Sequence, residues 1–172
     1  MKSPTKKWLL IILTQFVFTL SACNEKKLST DKELETKISK KYTTLTKKFS
    51  CPAISANELK KKLQNENVVL VDIRDEKEIE VSRIPGAITE QQFKKNIDQY
   101  KGKTIVAYCT IGYRSGKFAS EQKIPVHNLI GGVLMWSHSN GEFVNKKGKT
   151  DKVHVYSKDW NYLNSKYKAI TK

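Results

Sequence analysis

Short apolar runs alternate with segments of helical spacing along the middle of this chain. Two runs, Val68–Ile73 and Thr104–Tyr108, are continuous and rich in β-branched residues, which is typical of strands buried in a parallel sheet. A third strand is predicted over 126–130. Helical spacing and one capping box predict helices over 55–64, 75–81, 90–100 and 114–121, and another after Gly131-Gly132. This alternation favours a three-layer α/β fold, with a central, mainly parallel sheet flanked by helices.

The strand Thr104–Tyr108 is followed at once by Cys109, a short turn and the start of a helix. The carboxyl ends of strands are where open α/β sheets place their chemistry. The amides of such a turn and the positive end of the helix dipole favour a thiolate over a thiol, and they can hold an anion. A buried structural cysteine is the alternative. Gly112 and Arg114 in the turn favour the reactive thiol.

Three segments of the chain resemble one family. The run Cys109–Ser115 resembles the active-site loop C-x-x-G-x-R-[ST] of single-domain rhodaneses, which are sulfurtransferases. Residues 71–88 resemble the family signature D-[VI]-R-x-x-x-E-[FYI] followed by H-I-P-G-A, although Ser82 and Arg83 stand where the family usually has Gly-His. Residues 128–136 resemble its N-L-x-G-G-x-x-x-W run. The resemblance implies a rhodanese-like fold.

The resemblance also implies a reaction. The Cys109 thiolate would take the outer sulfur of thiosulfate as a persulfide and pass it to cyanide or a thiol, which is nucleophilic covalent catalysis without a cofactor. Backbone N–H groups of residues 110–114 would hold the terminal sulfur. Arg114 would brace the loop or add positive charge near the anion. The substrate-binding loop implied in this way consists of Thr110, Ile111, Gly112, Tyr113, Arg114 and Ser115.

The length of this loop separates two chemistries. Cys109 and Arg114 enclose a loop of six residues counting both ends. Related phosphatases have one residue more, which widens the cradle for a phosphate, and anion hydrolases of this kind also need a general acid. The shorter loop therefore favours sulfur over phosphorus.

Asp72 and Arg74 end the strand that precedes the first helix of the family signature. They could orient residues of the loop, or they could form structural bonds that fix the strand end, with Glu78 as a partner for Arg74. We favour the structural role and count neither residue as catalytic.

The first 22 residues have the order of a secretory signal: a lysine-rich start, an apolar run over Trp8–Leu20 and small residues before Cys23. This order resembles the lipobox of bacterial lipoproteins, which implies cleavage before Cys23 and lipid on its thiol and new amine. We therefore expect a signal peptide over 1–22 and an extracytoplasmic, membrane-anchored protein on the periplasmic side. Because Asn24 is not the Asp that commonly retains lipoproteins in the inner membrane, outer-membrane sorting is favoured if the source has two membranes.

The chain of 172 residues has room for one domain plus extensions. Residues 23–48 are rich in Lys, Thr, Ser and Glu, which predicts a lipidated cysteine followed by a flexible tether. A marginal helix over 34–42 stays open within this tether. A rhodanese-like domain is expected over 49–145. The extension over 146–172 is expected to pack on this domain, with a short strand over Val153–Tyr156 and a closing helix over Asp159–Tyr167. A role of this extension in shaping the acceptor side of the pocket stays open.

Three other functions stay open: a sulfur-carrier module that turns over no small substrate, a thiol redox protein that uses Cys51 and Cys109, and an anion hydrolase. We favour an inert Cys51, because it lies at the domain entrance, far from the loop in sequence. The histidines do not have the spacing of a metal site, so no metal is expected; they are His127, His138 and His154.

The formal net charge of +15 suits anionic substrates or anionic lipid headgroups. The lysines cluster in the tether and the tail, and the chain has no basic motif interleaved with aromatics, so nucleic acid is not an expected partner. The expected partners are a small sulfur anion as donor, a thiol or cyanide as acceptor, and the membrane through the lipid anchor. An unidentified protein acceptor of sulfur stays open.

Overall fold

The computed structural model describes residues 30–65 and 67–171. The architecture below is that of the unit Leu34–Lys172; of the preceding unit, Met1–Glu33, only helical residues 30–33 are described. The predicted signal peptide over 1–22 and the predicted lipidation site Cys23 lie outside the described residues. Within the described ranges, no helix has the length and apolar character needed to cross a membrane.

The helices are α1 (30–46), α2 (Ala56–Asn65), α3 (Glu76–Val81), α4 (Glu90–Lys95), α5 (Tyr113–Ser120) and α6 (Gly132–His138). The strands are β1 (Ala53–Ile54), β2 (Val68–Asp72), β3 (Ile88–Thr89), β4 (Thr104–Tyr108), β5 (Val126–Leu129), β6 (Val144–Asn145), β7 (Gly148–Lys149), β8 (Lys152–His154) and β9 (Lys168–Ile170). Two 3₁₀ turns cover Ile97–Tyr100 and Lys158–Trp160.

The core is a five-stranded sheet in the order β1-β5-β4-β2-β3, and all its pairings are parallel. Its central strands are buried on both faces because helices cover both sides, which explains their uninterrupted apolar sequences. Val106 and Ala107 of β4, for example, are fully buried in two different apolar clusters. The predicted α/β fold with a mainly parallel sheet is confirmed.

The predicted helix over 90–100 divides at Asn96 into α4 and a 3₁₀ turn. Asn96 leaves helical geometry at φ −122°, and its side-chain amide donates to the carbonyl of Gln92. An asparagine that bonds the backbone four residues earlier competes with a regular helix, which accounts for the break.

The structure differs from the predicted tether over much of 23–48, since residues 30–46 form α1. Ile38 of this helix is fully buried in the main core cluster, and Leu45 packs against it. The physical reason is the spacing of Ile38, Tyr42 and Leu45, which places them on one face of a helix although the segment is polar overall.

The extension over 146–172 returns to the domain as a parallel pair of strands, β8 and β9. Val153 and Val155 are fully buried in the main core cluster. The predicted helix over Asp159–Tyr167 is wrong. The chain makes only the 3₁₀ turn over Lys158–Trp160, because it must run back to pair with β8, and the hydroxyl of Tyr167 donates to the carbonyl of Gly141 at 2.5 Å.

Candidate active site

Cys109 follows β4 directly and is 2% exposed, at the floor of a cavity of about 330 Å³. The backbone N–H of Gly112 donates to Cys109 Sγ at 3.2 Å. The Ser115 hydroxyl lies 3.5 Å from the same sulfur. The thiol therefore sits inside its own loop, with the Gly112 N–H directed at sulfur, an arrangement that favours negative charge there.

The carbonyl groups of the loop are held from behind by α6. Val133 N–H donates to the Cys109 carbonyl at 3.0 Å, and Leu134 N–H donates to the Thr110 carbonyl at 3.3 Å. A Cβ on Gly132 would lie 2.2 Å from the Cys109 carbonyl oxygen, so only glycine permits this approach. The carbonyls thus point to α6, and the loop amides are left for the cavity.

A left-handed glycine starts the next helix. Gly112 has φ +107°, a value that L side chains rarely adopt, and it is followed by the first turn of α5. The N–H groups of this turn have no acceptor inside the helix. Tyr113, Arg114 and Ser115 therefore present amides at the end of the helix where the dipole is positive.

Arg114 is fixed by α3. Its two terminal nitrogens donate to the two oxygens of Glu78 at 2.7 and 2.9 Å, and Asp75 lies 3.5 Å away. Burial alone would raise the pKa of Glu78, but the hydrogen bonds and charge of Arg114 lower this pKa below its usual range. The carboxylate is 3% exposed and also accepts the Asp75 N–H at 3.0 Å and the Thr110 hydroxyl at 3.4 Å. Arg114 thus braces the loop through Glu78.

Asp72 and Arg74 form a separate structural pair. Arg74 donates to both oxygens of Asp72, at 2.9 and 2.7 Å, and to the Ser82 carbonyl at 2.5 Å. Both side chains are buried, and they fix the end of β2, which is the role favoured from the sequence. Glu78, the predicted partner of Arg74, interacts with it through charge, but the hydrogen bonds of Glu78 go to Arg114 in the loop.

Asn128 of β5 was not predicted as a site residue, yet it is fully buried beside the loop. Its amide nitrogen donates to the Gly112 carbonyl at 2.9 Å and to the Tyr42 hydroxyl at 3.3 Å. Its oxygen accepts the Ser115 hydroxyl at 2.8 Å. In the sheet register, Asn128 lies opposite Ala107 of β4. Ala107 precedes Cys109 by two residues in the sequence, so Asn128 lies near the loop. Its place in the N-L-x-G-G run was the sequence signal that could have identified it.

The outer part of the cavity is aromatic and aliphatic. Thr110, Ile111, Tyr113 and Arg114 line it from the loop side. Leu45, Tyr156 and Trp160 supply further wall residues. None of these three was predicted as a site residue, although the sequence leaves open a role of the C-terminal extension at the pocket. No local sequence pattern links α1 or the segment after β8 to the thiol.

The remaining predicted groups lie in other settings. Cys51 is a free thiol like Cys109, and its Sγ contacts the Gly116 carbonyl at 3.8 Å. Burial raises the pKa of the Cys51 thiol, which disfavours its thiolate. The three histidines contact different partners: the Ile105 carbonyl for His127, the Tyr162 carbonyl for His138, and Glu78 at 3.7 Å for His154.

These contacts define what the site can do. A thiolate at Cys109 can attack an electrophilic sulfur in the cavity, and the loop amides can hold the anionic sulfur that remains on it. The loop is preorganised by Glu78, Asn128 and α6, so the donors need no rearrangement when charge develops.

A protein-family model described as Rhodanese-like domain matches residues 55–139. The tRNA uridine(34) hydroxylase of Acholeplasma laidlawii is 31% identical over 101 residues, which are 54% of this chain and 32% of that protein. The protein of the same name from Staphylococcus haemolyticus is 35% identical over 74 residues, 38% of this chain and 23% of that protein. The chain thus spans about a third or less of these relatives. A rhodanese-like domain protein from Staphylococcus aureus, known from a crystal structure, is 28% identical, with coverage of 49% and 90% and a TM-score of 0.44.

Proposed function

We propose that the rhodanese-like domain, which the family model matches over residues 55–139, is a sulfurtransferase that carries sulfur as a persulfide on Cys109. The observation that carries the proposal is the position of Cys109 Sγ. It lies at the floor of a cavity of about 330 Å³, where it accepts the Gly112 N–H. A thiol held in this way is presented to a small molecule and has donors ready for a negative charge.

The first half-reaction forms the persulfide. The Cys109 thiolate attacks the outer sulfur of thiosulfate or a similar donor, a new S–S bond forms, and the S–S bond of the donor breaks. Sulfite leaves with the electron pair, and the persulfide keeps one negative charge on its terminal sulfur. In the second half-reaction, cyanide or a thiol attacks that terminal sulfur, and the Cys109 thiolate leaves.

The loop residues have separate tasks in this reaction. The amides of Gly112 and of the first turn of α5 hold the terminal sulfur. Arg114 keeps the loop in shape, because both of its terminal nitrogens are bound to Glu78. Its positive charge is largely offset by Glu78 and contributes little to the attraction of an incoming anion.

The experiment is an intact-mass measurement on the full-length protein in detergent. Thiosulfate should add one sulfur to the reduced protein, cyanide should remove it, and Cys109→Ala should not acquire it. Cys51→Ser serves as the matched thiol control and should behave like the unchanged protein. Reduced protein that gains no sulfur from thiosulfate or from any other sulfane donor would refute the proposal.

A non-turnover carrier and a redox protein are the alternatives within the same site. A carrier would form the persulfide but would not pass it to cyanide or a small thiol. A redox protein would need Cys51, whose pKa is raised by burial and whose thiolate is therefore disfavoured. The mass experiment distinguishes both from the proposed enzyme.

The names of the curated relatives suggest a second candidate, a role in the modification of uridine in tRNA. The match covers only 32% of the Acholeplasma protein and 23% of the Staphylococcus haemolyticus protein, so most of each relative has no counterpart in the match. We therefore favour sulfur transfer without a nucleic-acid partner. Titration of labelled tRNA at 150 mM salt tests this choice, since saturable binding with micromolar affinity would favour the second candidate.

The cellular location is proposed from the sequence alone. Lysines before an apolar run and small residues before Cys23 support a lipid-anchored protein outside the cytoplasm. The mature protein should begin at Cys23 and carry a diacylglycerol mass, and Cys23→Ala should abolish that mass. A mature protein that keeps residues 1–22 would contradict the anchor.

A further inference from the structure

Exposed apolar side chains gather at the cavity above Cys109. Among the described residues, the large apolar side chains that are exposed are Leu63, Tyr113 and Tyr156, and the last two line this cavity. Tyr156 is 69% exposed, which is a high exposure for an aromatic ring. Apolar surface of this kind commonly marks the place where a ligand binds.

The aromatic rings are held in place by their neighbours. Lys48 Nζ donates to the Tyr113 hydroxyl at 3.2 Å, and the Phe49 ring meets the Tyr113 ring edge to face at 5.4 Å. On the other side, Lys41 Nζ lies 5.1 Å from the centre of the Trp160 ring. These contacts orient the rings of Tyr113 and Trp160 before any ligand arrives, which reduces the ordering cost of binding.

The charge at the cavity does not suit a small dianion. Arg114 lines the cavity, but Glu78 holds its guanidinium at 2.7 and 2.9 Å. Thiosulfate carries two negative charges, and moving it from water against Leu45, Tyr156 and Trp160 costs hydration that apolar walls do not replace. A donor with a single negative charge and an apolar body loses less hydration free energy when it enters the cavity.

The size of the cavity points the same way. Its volume is about 330 Å³. That volume corresponds to roughly eleven water molecules and lies at the lower end of the range for small-molecule sites. It exceeds the volume of an inorganic sulfur anion and accommodates a compound with a single ring.

We propose that the preferred sulfur donor is an organic sulfane-sulfur compound with a flat apolar body, selected by Tyr113, Tyr156, Trp160 and Leu45. This inference rests on the proposed persulfide of Cys109. The thiolate attacks the terminal sulfur of the donor, the S–S bond to the organic group breaks, and the organic group leaves with the electron pair. For an aryl thiosulfonate the leaving group is a sulfinate, and the persulfide remains on Cys109.

The test compares benzenethiosulfonate, methanethiosulfonate and thiosulfate as donors to the full-length protein, with cyanide as acceptor. The uncatalysed rate of each donor with a free thiol is divided out, so intrinsic reactivity does not enter. The normalised kcat/KM for benzenethiosulfonate should exceed that for methanethiosulfonate about tenfold. The same donor should also be preferred over thiosulfate.

Variants of Tyr156 test the assignment of the wall. Tyr156→Ala should lower the ratio of the normalised kcat/KM for benzenethiosulfonate to that for methanethiosulfonate about fivefold. The change should lie mainly in KM, because the substitution removes a stacking surface. Tyr156→Phe should keep the ratio. Leu63→Ala removes another exposed apolar side chain, on α2, which does not line the cavity, and it should also keep the ratio. Since Tyr156 is largely solvent-exposed, its removal leaves the core intact.

The outcomes separate the inference from the proposed function. Equal normalised rates for the three donors, with a persulfide formed from each, would overturn the aromatic selectivity and leave the sulfurtransferase standing. An unchanged ratio in Tyr156→Ala would overturn the role of Tyr156 in that selectivity. Absence of a persulfide with every donor would overturn both.

Discussion

Replacement of Glu78 by glutamine tests the brace beneath the loop. The carboxylate is buried and accepts hydrogen bonds from Arg114 at 2.7 and 2.9 Å, from the Asp75 N–H at 3.0 Å and from the Thr110 hydroxyl at 3.4 Å. Glutamine has nearly the same shape, but it has only one acceptor oxygen, and its NH₂ group would face the guanidinium. The change therefore removes charge and one acceptor without creating a cavity.

The magnitude follows from what is lost. A hydrogen bond to a charged group contributes about 1.5–3 kcal/mol, and removal of one partner of a buried ion pair costs about 3–5 kcal/mol. The Arg114 side chain is 28% exposed, so water can replace part of the lost contact. We expect Glu78→Gln to lower the free energy of unfolding by about 2–3 kcal/mol at pH 7. Loosening of the loop should also slow persulfide formation on Cys109.

The assay is urea unfolding at several pH values, with Asp75→Asn as the control. Asp75 is 80% exposed and 3.5 Å from Arg114, and asparagine caps a helix equally well, so this control should cost less than about 0.5 kcal/mol.

The dependence of stability on pH in the acid range gives an independent check. The folded-state pKa of Glu78 is lowered, so its contribution to stability is complete above its unfolded pKa of about 4.3 and is lost as the pH falls through the folded value. The difference between Glu78→Gln and the unchanged protein should therefore narrow below about pH 4. A cost under about 1 kcal/mol at pH 7, or a difference that does not depend on pH, would refute the reasoning.

Three further substitutions probe the loop from other sides. Gly132→Ala should lower the free energy of unfolding, measured in urea, by more than about 3 kcal/mol, since its Cβ would lie 2.2 Å from the Cys109 carbonyl oxygen. Gly86→Ala, at φ +77° in open space, should lower it by only about 1 kcal/mol. Equal costs would contradict the close approach. Asn128→Ala should lower the free energy of unfolding by about 2–3 kcal/mol in the same assay, because the buried Ser115 hydroxyl loses its acceptor and the Gly112 carbonyl keeps only the Gly116 N–H. A cost near zero would contradict that role. Cys51→Ser should leave the rate of persulfide formation within twofold by intact mass, as expected for a thiol whose pKa is raised by burial, and a large loss would support the redox alternative.

The sheet could be predicted because the amino-acid pattern of its strands is distinctive. Strands such as β4 are buried on both faces and therefore read as unbroken apolar runs, and the strand end beside Cys109 follows from that pattern. The helices flanking these strands were also predictable, apart from the break at Asn96. That break depends on a side-chain hydrogen bond to Gln92, and apolar spacing does not report it.

The partners in the site depend on tertiary structure and could not be read from spacing. Glu78 lies four residues after Arg74 in the sequence, but in space it binds Arg114, thirty-six residues away. Tyr156 and Trp160 reach the cavity only because β9 pairs with β8 and brings the intervening segment back to the domain. The full length of α1 could not be predicted for a different reason. Its apolar face is narrow, and it lies within a lysine-rich segment.

The walls of the cavity have an evolutionary consequence. The thiol loop and its brace lie within residues 55–139, whereas Leu45, Tyr156 and Trp160 lie outside them. Under the proposed function, substitutions in these outer segments alter which donor is accepted without disturbing Cys109 or the contacts that hold its loop. Selection can therefore act on substrate choice and on sulfur chemistry separately. A lineage could acquire a new donor by remodelling its terminal segments while it inherits the reaction unchanged.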